Sequence, residues 1–351
     1  MEDVPCPICG KSTDNVIWAK SGNTSKQCTC EVVYVSPRPT AEEMLQFYRD
    51  DNVDISAEVH IGDELYKRLH AKLSLQVIQK HIQRGTLVEI GAGAGFFADE
   101  ARRAGFDVIV VEPNVELHNH LANHLGLTVY TDAADLAAAE LSQIIDVVYF
   151  CDVLSHFADP VQELQGFRHL LKPNGLMIFE TGNLGVMPKK WFAYIGDIGY
   201  PEHLYFFSPK SIEQLAGMAG LTVKENVLYN IVPYLAYKKR IEPLRNQLMY
   251  FSIRNRGKPA SVVQVPQEED SHHGNGLQQT ANITTNTSAN HHEESAATTT
   301  KPIPLVAKLR KYVTQDLYIH LLFYTRYRLG RYARFFKGPM TVIHITQRLE
   351  S

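Results

Sequence analysis

From residue 86 onward the chain alternates between two rhythms of apolar and polar positions. Short runs rich in β-branched and aromatic residues, TLVEI, DVIVVE, LTVY, IDVVYFCD and GLMIFET, are separated by stretches with helical patterning that begin near Gly95, Val115, Ala133 and Pro160. Strands spaced by helices of this length predict right-handed βαβ units and a parallel, doubly wound α/β sheet. SPKSIEQLAGMAG then predicts a helix capped by Ser208 and stopped at Gly220, and LTVKENVLY a further strand. Upstream, Leu65, Leu69, Leu73, Val77 and Ile82 recur near helical spacing and predict a helix from about Asp63 to Ile82. An earlier helix is expected after Pro37 and Pro39, with Thr40 as cap and Glu42 and Glu43 in its first turn.

The pattern loosens at both ends. Residues 1–36 hold too few large apolar groups to build a core alone, so they form a separate module needing another source of stability. Residues 37–84 are the helical lead-in and 85–231 the α/β core. Residues 232–337 are expected to be a helical insertion, with 257–302 so rich in Gln, Thr, Asn, Ser and His that ordering entropy goes uncompensated and disorder is predicted. The last segment, 338–351, carries the strand pattern MTVIHIT.

Composition narrows the function classes. With 44% hydrophobic and 21% charged residues and a formal charge of −3, the chain reads as an ordinary globular protein with no bulk affinity for nucleic acid. No apolar run approaches the ~20 residues of a membrane span and the start lacks a signal-peptide pattern, so a cytoplasmic location is expected. Four of the five cysteines, Cys6, Cys9, Cys28 and Cys30, fall within the first thirty residues. That clustering points to a structural zinc ion, with Cys6 and Cys9 at knuckle spacing and eighteen residues before the second pair, free thiols in a degenerate ribbon being the alternative.

The glycine-rich turn LVEIGAGAGFF places Glu89, Gly91, Ala92, Gly93 and Gly95 where a strand passes into a helix. Glycines there permit positive φ and close approach of a ligand to the backbone. The residue three after Gly93 is Phe96, so this is not the G-x-G-x-x-G dinucleotide fingerprint. Glu112 ends the second strand twenty-one residues after Gly91, followed by Pro113, where a carboxylate can accept from both hydroxyls of a ribose.

The register E-x-G-x-G-x-G, the acidic strand end, TDAADL, and DVVYFCDVLSHFADP followed by LLKPNGLMIFET together resemble the class I S-adenosylmethionine-dependent methyltransferases over about residues 86–230. CPICG with a later cysteine pair, VVYVSPRPTAEEMLQFY and EHLYFFSPKSIEQLAGMAGLTV resemble its zinc-ribbon-bearing branch, the methyltransferase domain type 23-like proteins. That branch usually spaces the second pair C-x-x-C, whereas here it is Cys28-Thr29-Cys30. The resemblance implies a Rossmann-like seven-stranded sheet whose last strand, antiparallel, comes from GPMTVIHITQR. It also implies that S-adenosylmethionine is held by the glycine turn, Glu112, Pro113, Asp132, Ala133 and Cys151.

The acceptor chemistry is open at this level. A sugar hydroxyl is the favoured acceptor, within a wider class of small molecules and glycans; C-methylation and a non-catalytic scaffold that keeps the fold are the alternatives. His203 and His156 are the candidate general bases, since each follows a segment at the carboxyl edge of the sheet. The segment between them carries Trp191, Phe192, Tyr194 and Tyr200 and reads as a lid. The basic, aromatic stretch 308–337 suggests contact with a lipid-linked substrate or peripheral attachment at the inner membrane face, beside the plainer reading of an amphipathic helix packed on the core.

Overall fold

The computed structural model describes residues 1–20, 23–49, 57–62, 64–139, 141–183, 185, 202–229 and 341–349. The aromatic lid segment, the insertion 232–337 and the basic stretch 308–337 therefore lie outside the described residues, apart from Gly182, Asn183 and Gly185 at the lid's start.

Eleven strands and eight α-helices follow one another among the described residues. Strands β1 (Val16–Lys20), β2 (Asn23–Gln27) and β3 (Val33–Val35) precede helices α1 (Ala41–Arg49), α2 (Ala57–Gly62) and α3 (Glu64–Ile78). The core then runs β4 (Thr86–Ile90), α4 (Phe96–Arg103), β5 (Asp107–Val111), α5 (Val115–Asn123), β6 (Thr128–Tyr130), α6 (Ala133–Ala138), β7 (Ile145–Cys151), α7 (Pro160–Leu170) and β8 (Leu171–Gly182). It closes with β9 (Tyr205–Phe206), α8 (Pro209–Met218), β10 (Leu221–Tyr229) and β11 (Thr341–Arg348).

The main sheet has seven strands in the order β10-β11-β8-β7-β4-β5-β6. Strands β6, β5, β4, β7 and β8 are parallel, and β11 pairs antiparallel with both β8 and β10. The strand from the end of the chain thus inserts between two others, with Ile343 opposite Glu180 on one side and Val227 on the other. The central strands read as nearly unbroken apolar runs because both faces are covered. Val147 and Tyr149 face α3 and α4 through Leu75, Ile78, Phe97 and Ala101, while Val148 and Phe150 face α7 and α8 through Leu164, Phe167 and Leu215.

The capping expectations hold in detail. Thr40 Oγ1 accepts the Glu43 amide at 3.2 Å while Glu43 Oε2 accepts the Thr40 amide at 2.8 Å, and Ser208 and Ser211 close a reciprocal box on α8. The N-terminal module is less self-contained than its composition suggests. Val33 and Tyr34 of β3 pair with Phe206 and Tyr205 of β9, making a second sheet β1-β2-β3-β9. Tyr34, Cys6 and Cys28 also join the cluster that contains Met44, Leu204 and Phe207. Apolar contact with the core therefore supplies part of the burial that residues 1–36 lack alone. The two-residue β9 was not legible in EHLYFF, because its pairing partner lies far away in sequence.

Candidate functional site

The carboxyl ends of β4, β5, β6 and β7 open into one cavity of about 920 Å³. The turn after β4 carries three successive glycines at positive φ, Gly91 at 70°, Gly93 at 55° and Gly95 at 75°. A Cβ on Gly91 would lie 2.7 Å from Val153 Cγ2, and one on Gly93 would lie 2.9 Å from His60 Nδ1. Gly91, Ala92 and Gly93 line the cavity. Gly95 does not; as N-cap of α4 it faces Leu121, whose Cδ2 a Cβ would strike at 2.3 Å, so its smallness serves helix packing rather than direct ligand contact.

Two buried carboxylates frame the turn. Glu112 accepts the Gly93 amide at 2.7 Å and the Asn114 amide at 3.0 Å. Burial pushes its carboxyl up, and those two amides together with Lys67 partly counter the rise. Glu89 is raised well above the usual carboxylate range by burial, then by Glu112, although the Ala98 amide binds it. Its Oε2 has no hydrogen-bond partner among the described residues. A buried carboxylate oxygen in that condition fits a cationic or hydrogen-bond-donating ligand. Pro113, Asp132 and Ala133 complete this end of the wall. Asp132 is also the N-cap of α6, accepting the Asp135 amide at 2.9 Å.

The opposite end is built from β7, β10, α1 and α3. Cys151 and Asp152 line the cavity together with Tyr48, His70, His156, Glu202 and Tyr229. Asp152 has φ of 56°, a left-handed backbone that is costly for a non-glycine residue and concentrates at functional sites. Its side chain is open to the cavity yet enclosed by protein, and burial followed by the charge of Glu180 pushes its carboxyl up to about 6.

The two sequence-selected histidines come together but play unequal parts. His156, in a 3₁₀ turn over Leu154–His156, stacks on Tyr48 with ring centroids 5.5 Å apart and planes within 5°. His203 meets it edge-on at 4.7 Å and shares a 2.8 Å hydrogen bond between Nδ1 and Ser155 Oγ. Burial, with the neighbouring His203, lowers His156 to about 3, and burial lowers His203 to about 4. Only His156 is on the cavity wall; His203 reaches it through His156. Rings held neutral by burial are weak bases near neutral pH.

Sequence reasoning passed over His70, Ser74, Tyr149 and Glu180. Their signal was present as polar residues at i and i+4 on the buried side of α3 and a carboxylate within the apolar run LMIFE. Such residues on an apolar face announce a partner, but the partner is visible only after folding.

At the N-terminus the four thiols converge despite the C-x-C spacing, with all Sγ atoms within 4.8 Å of one another and Cys9 and Cys28 at 3.5 Å. Four sulfurs around a zinc ion at ~2.3 Å would lie about 3.8 Å apart, so the cluster is close to a tetrahedral ligand set. Burial opposes ionisation of Cys28, but hydrogen bonds from the Cys30 amide and the neighbouring thiols bring it down to about 7, while burial pushes Cys6 up to about 12.

A family profile described as a methyltransferase domain matches residues 59–226. A ubiquinone biosynthesis O-methyltransferase of Cereibacter sphaeroides is 32% identical over 174 residues, covering 46% of this chain and 67% of that protein. One of the same name from Ruegeria pomeroyi is 35% identical over 148 residues, covering 38% of this chain and 59% of that protein. The crystal structure of Burkholderia thailandensis 1,6-didemethyltoxoflavin-N1-methyltransferase with bound 1,6-didemethyltoxoflavin and S-adenosylhomocysteine is 15% identical. It covers 60% of this chain and 90% of that one, with a TM-score of 0.42. No helix among the described residues is long and apolar enough to cross a membrane.

Proposed function

Because this chain belongs to the S-adenosylmethionine-dependent methyltransferase family, we propose that it transfers a methyl group from S-adenosylmethionine to a hydroxyl of a small-molecule acceptor. The observation that carries this reading is the single cavity joining the glycine turn, Glu89 and Glu112 at one end to Asp152, His156 and Tyr48 at the other. Methyl transfer requires both partners in line within one water-poor space.

The residues present fit the cofactor. Glu112 stands where it accepts from a ribose, the glycine turn lets the amino-acid portion approach the backbone, and the unsatisfied Glu89 oxygen suits its ammonium group. Asp132 and Ala133 flank the adenine end, and Cys151 borders the reacting centre. S-adenosylmethionine supplies the methyl group, the S–CH₃ bond breaking with its electron pair left on sulfur as the O–CH₃ bond forms.

The relatives' names specify O-methylation, which favours oxygen over carbon as the accepting atom. Within that class a sugar hydroxyl remains our choice, because Tyr48 offers an aromatic face beside the polar groups of Glu202, His156 and Asp152. His156 and, through it, His203 shape the acceptor end. The four-cysteine cluster holds one structural zinc in this reading, since four thiolates leave no coordination position for water.

Calorimetry with S-adenosylmethionine, followed by mass spectrometry of reactions with a panel of sugar nucleotides, glycosides and catechols, tests the proposal. Saturable binding and a product heavier by one methylene unit are expected. Binding without turnover on any hydroxyl compound would favour a C-methyltransferase or a scaffold. His156→Ala and His203→Ala should raise the acceptor KM more than they lower the single-turnover rate.

A further inference from the structure

Glu180 is the most deeply placed acid in the cavity's surroundings, fully buried on β8 directly opposite Cys151 of β7. An isolated carboxylate there would take up a proton. Instead both oxygens are fully engaged. Oε1 accepts from the Ser74 hydroxyl at 2.5 Å and the Tyr149 hydroxyl at 2.6 Å, and Oε2 is bound by His70 Nε2 at 3.0 Å and by the Tyr229 hydroxyl. Burial pushes the Glu180 carboxyl up, but the charge of His70 and the hydrogen bonds of His70, Ser74 and Tyr149 outweigh it and hold the group below the usual carboxylate range.

His70 lines the cavity beside Cys151 and Asp152, as do Tyr149 and Tyr229, but of these three partners of Glu180 it is the imidazole, the one suited to take up a proton near neutral pH. Its side chain is 18% exposed, against none for Glu180. The arrangement is that of a carboxylate fixing one imidazole nitrogen, which sets the tautomer and makes the other nitrogen more basic. This opposes the situation of His156 and His203, which are lowered by burial and which, although a Glu202 oxygen lies within 4.8 Å of both rings, make no carboxylate hydrogen bond among the described residues.

We propose that His70, oriented by Glu180 through Nε2, is the general base that removes the proton from the acceptor hydroxyl. The inference rests on the hydroxyl methyltransferase reading above. As the O–CH₃ bond forms, the hydroxyl proton passes to His70 Nδ1, the resulting imidazolium is stabilised by Glu180, and the proton later leaves to water. Among the described residues, the charged and titratable groups around the ring include Glu180 on β8, Tyr149, Cys151 and Asp152 at the end of β7, and Tyr229 on β10. His344 on β11 also senses Glu180 but is held neutral, pushed down by burial to about 3. His70, Cys151 and Glu180 lie within metal-ligating distance of one another, yet four donors already occupy the carboxylate. Proton handling therefore accounts for the cluster better than a metal ion does.

The experiment compares the wild-type chain with His70→Gln, Glu180→Gln and Asp152→Asn. An NMR titration of the His70 ring should place it above the ordinary imidazole value and show it falling in Glu180→Gln. Should that variant fail to fold, Ser74→Ala, which loosens Glu180 without removing its charge, replaces it and should lower the His70 titration less. In His70→Gln, calorimetric affinity for S-adenosylmethionine should stay within about threefold, while single-turnover methylation of the panel's best hydroxyl compound falls ~10²–10⁴-fold and the acidic limb of the pH profile disappears. Methylation within threefold of wild type in His70→Gln, a His70 titration at or below the ordinary value, or an acidic limb that disappears only in Asp152→Asn would each overturn the proposal. Failure of the wild-type protein to bind S-adenosylmethionine would instead strike the functional reading on which it rests.

Discussion

The amide of Gly93 donates to Glu112 Oε2 at 2.7 Å, tying the glycine turn after β4 to the acidic end of β5. The carboxylate thereby holds the loop in shape while the Asn114 amide, at 3.0 Å, holds its other oxygen. Glu112 is thus both a ligand candidate and the brace of the loop that forms the remainder of the site.

This double role predicts a large effect from a small change. Glu112→Gln loses charge-assisted hydrogen bonds worth about 1.5–3 kcal/mol, so S-adenosylmethionine affinity should fall roughly 10–150-fold by calorimetry. Gly93→Arg should abolish binding with circular dichroism unchanged, because φ of 55° and the close approach of His60 leave no room for a side chain. Unaltered affinity in both variants would remove this turn from the cofactor site.

The cysteine cluster predicts about one zinc equivalent per chain by elemental analysis. Cys6→Ser should lose the metal and lower the melting temperature. The loss should spread beyond the module, because Cys6 and Cys28 belong to the same packed cluster as Tyr205 and Phe207. Metal-free wild-type protein with an unchanged melting temperature would contradict a structural zinc.

Strand β11 predicts an asymmetry between two deletions. Removing residues 341–351 strips Val342, Ile343 and Ile345 from the core, each buried to 1% exposure or less, and unpairs β8 and β10. At about 1.5–3 kcal/mol per side chain the loss is ~5–9 kcal/mol, comparable to the whole stability of many domains. Deleting 257–302 should preserve folding and cofactor binding, because closure entropy changes only logarithmically with loop length. Thermal melts of both deletion variants are the measurement, and a stable truncation beside an unfolded deletion would reverse the topology argument.

His344 predicts a defined pH dependence. Its ring is buried between Thr181 Oγ1 at 3.0 Å and Asn226 Oδ1 at 2.7 Å, and burial lowers it to about 3. The unfolded chain therefore binds the extra proton between the ordinary imidazole value and about 3, so this group's contribution to stability declines as pH falls through that window. Raised carboxyls such as Asp152 act in the opposite sense, so the comparison should be made as a difference. Urea denaturation of wild type and His344→Gln from pH 7 to 4 should show wild type losing stability relative to the variant as pH falls. Parallel curves would refute it.

Local pattern determined a great deal about this protein. The glycine turn, the acidic ends of TLVEI and DVIVVE and the Ser208 cap are all short-range features, and each appears in the structure where the spacing predicted it. Such elements are legible because period, cap and turn chemistry act within a few residues. Resemblance placed the final strand as well, although its partners on β8 and β10 are more than a hundred residues away. Only tertiary structure decided what long-range pairing controls. It joined β3 to β9, so that the cysteine module shares a sheet with the core. It set His203 behind His156, turned Gly95 toward Leu121, and brought His70 of α3 to Glu180 of β8 across 110 positions of sequence. The physical reason is that a buried carboxylate's charge state depends on which donors surround it in space, and no local pattern encodes that set.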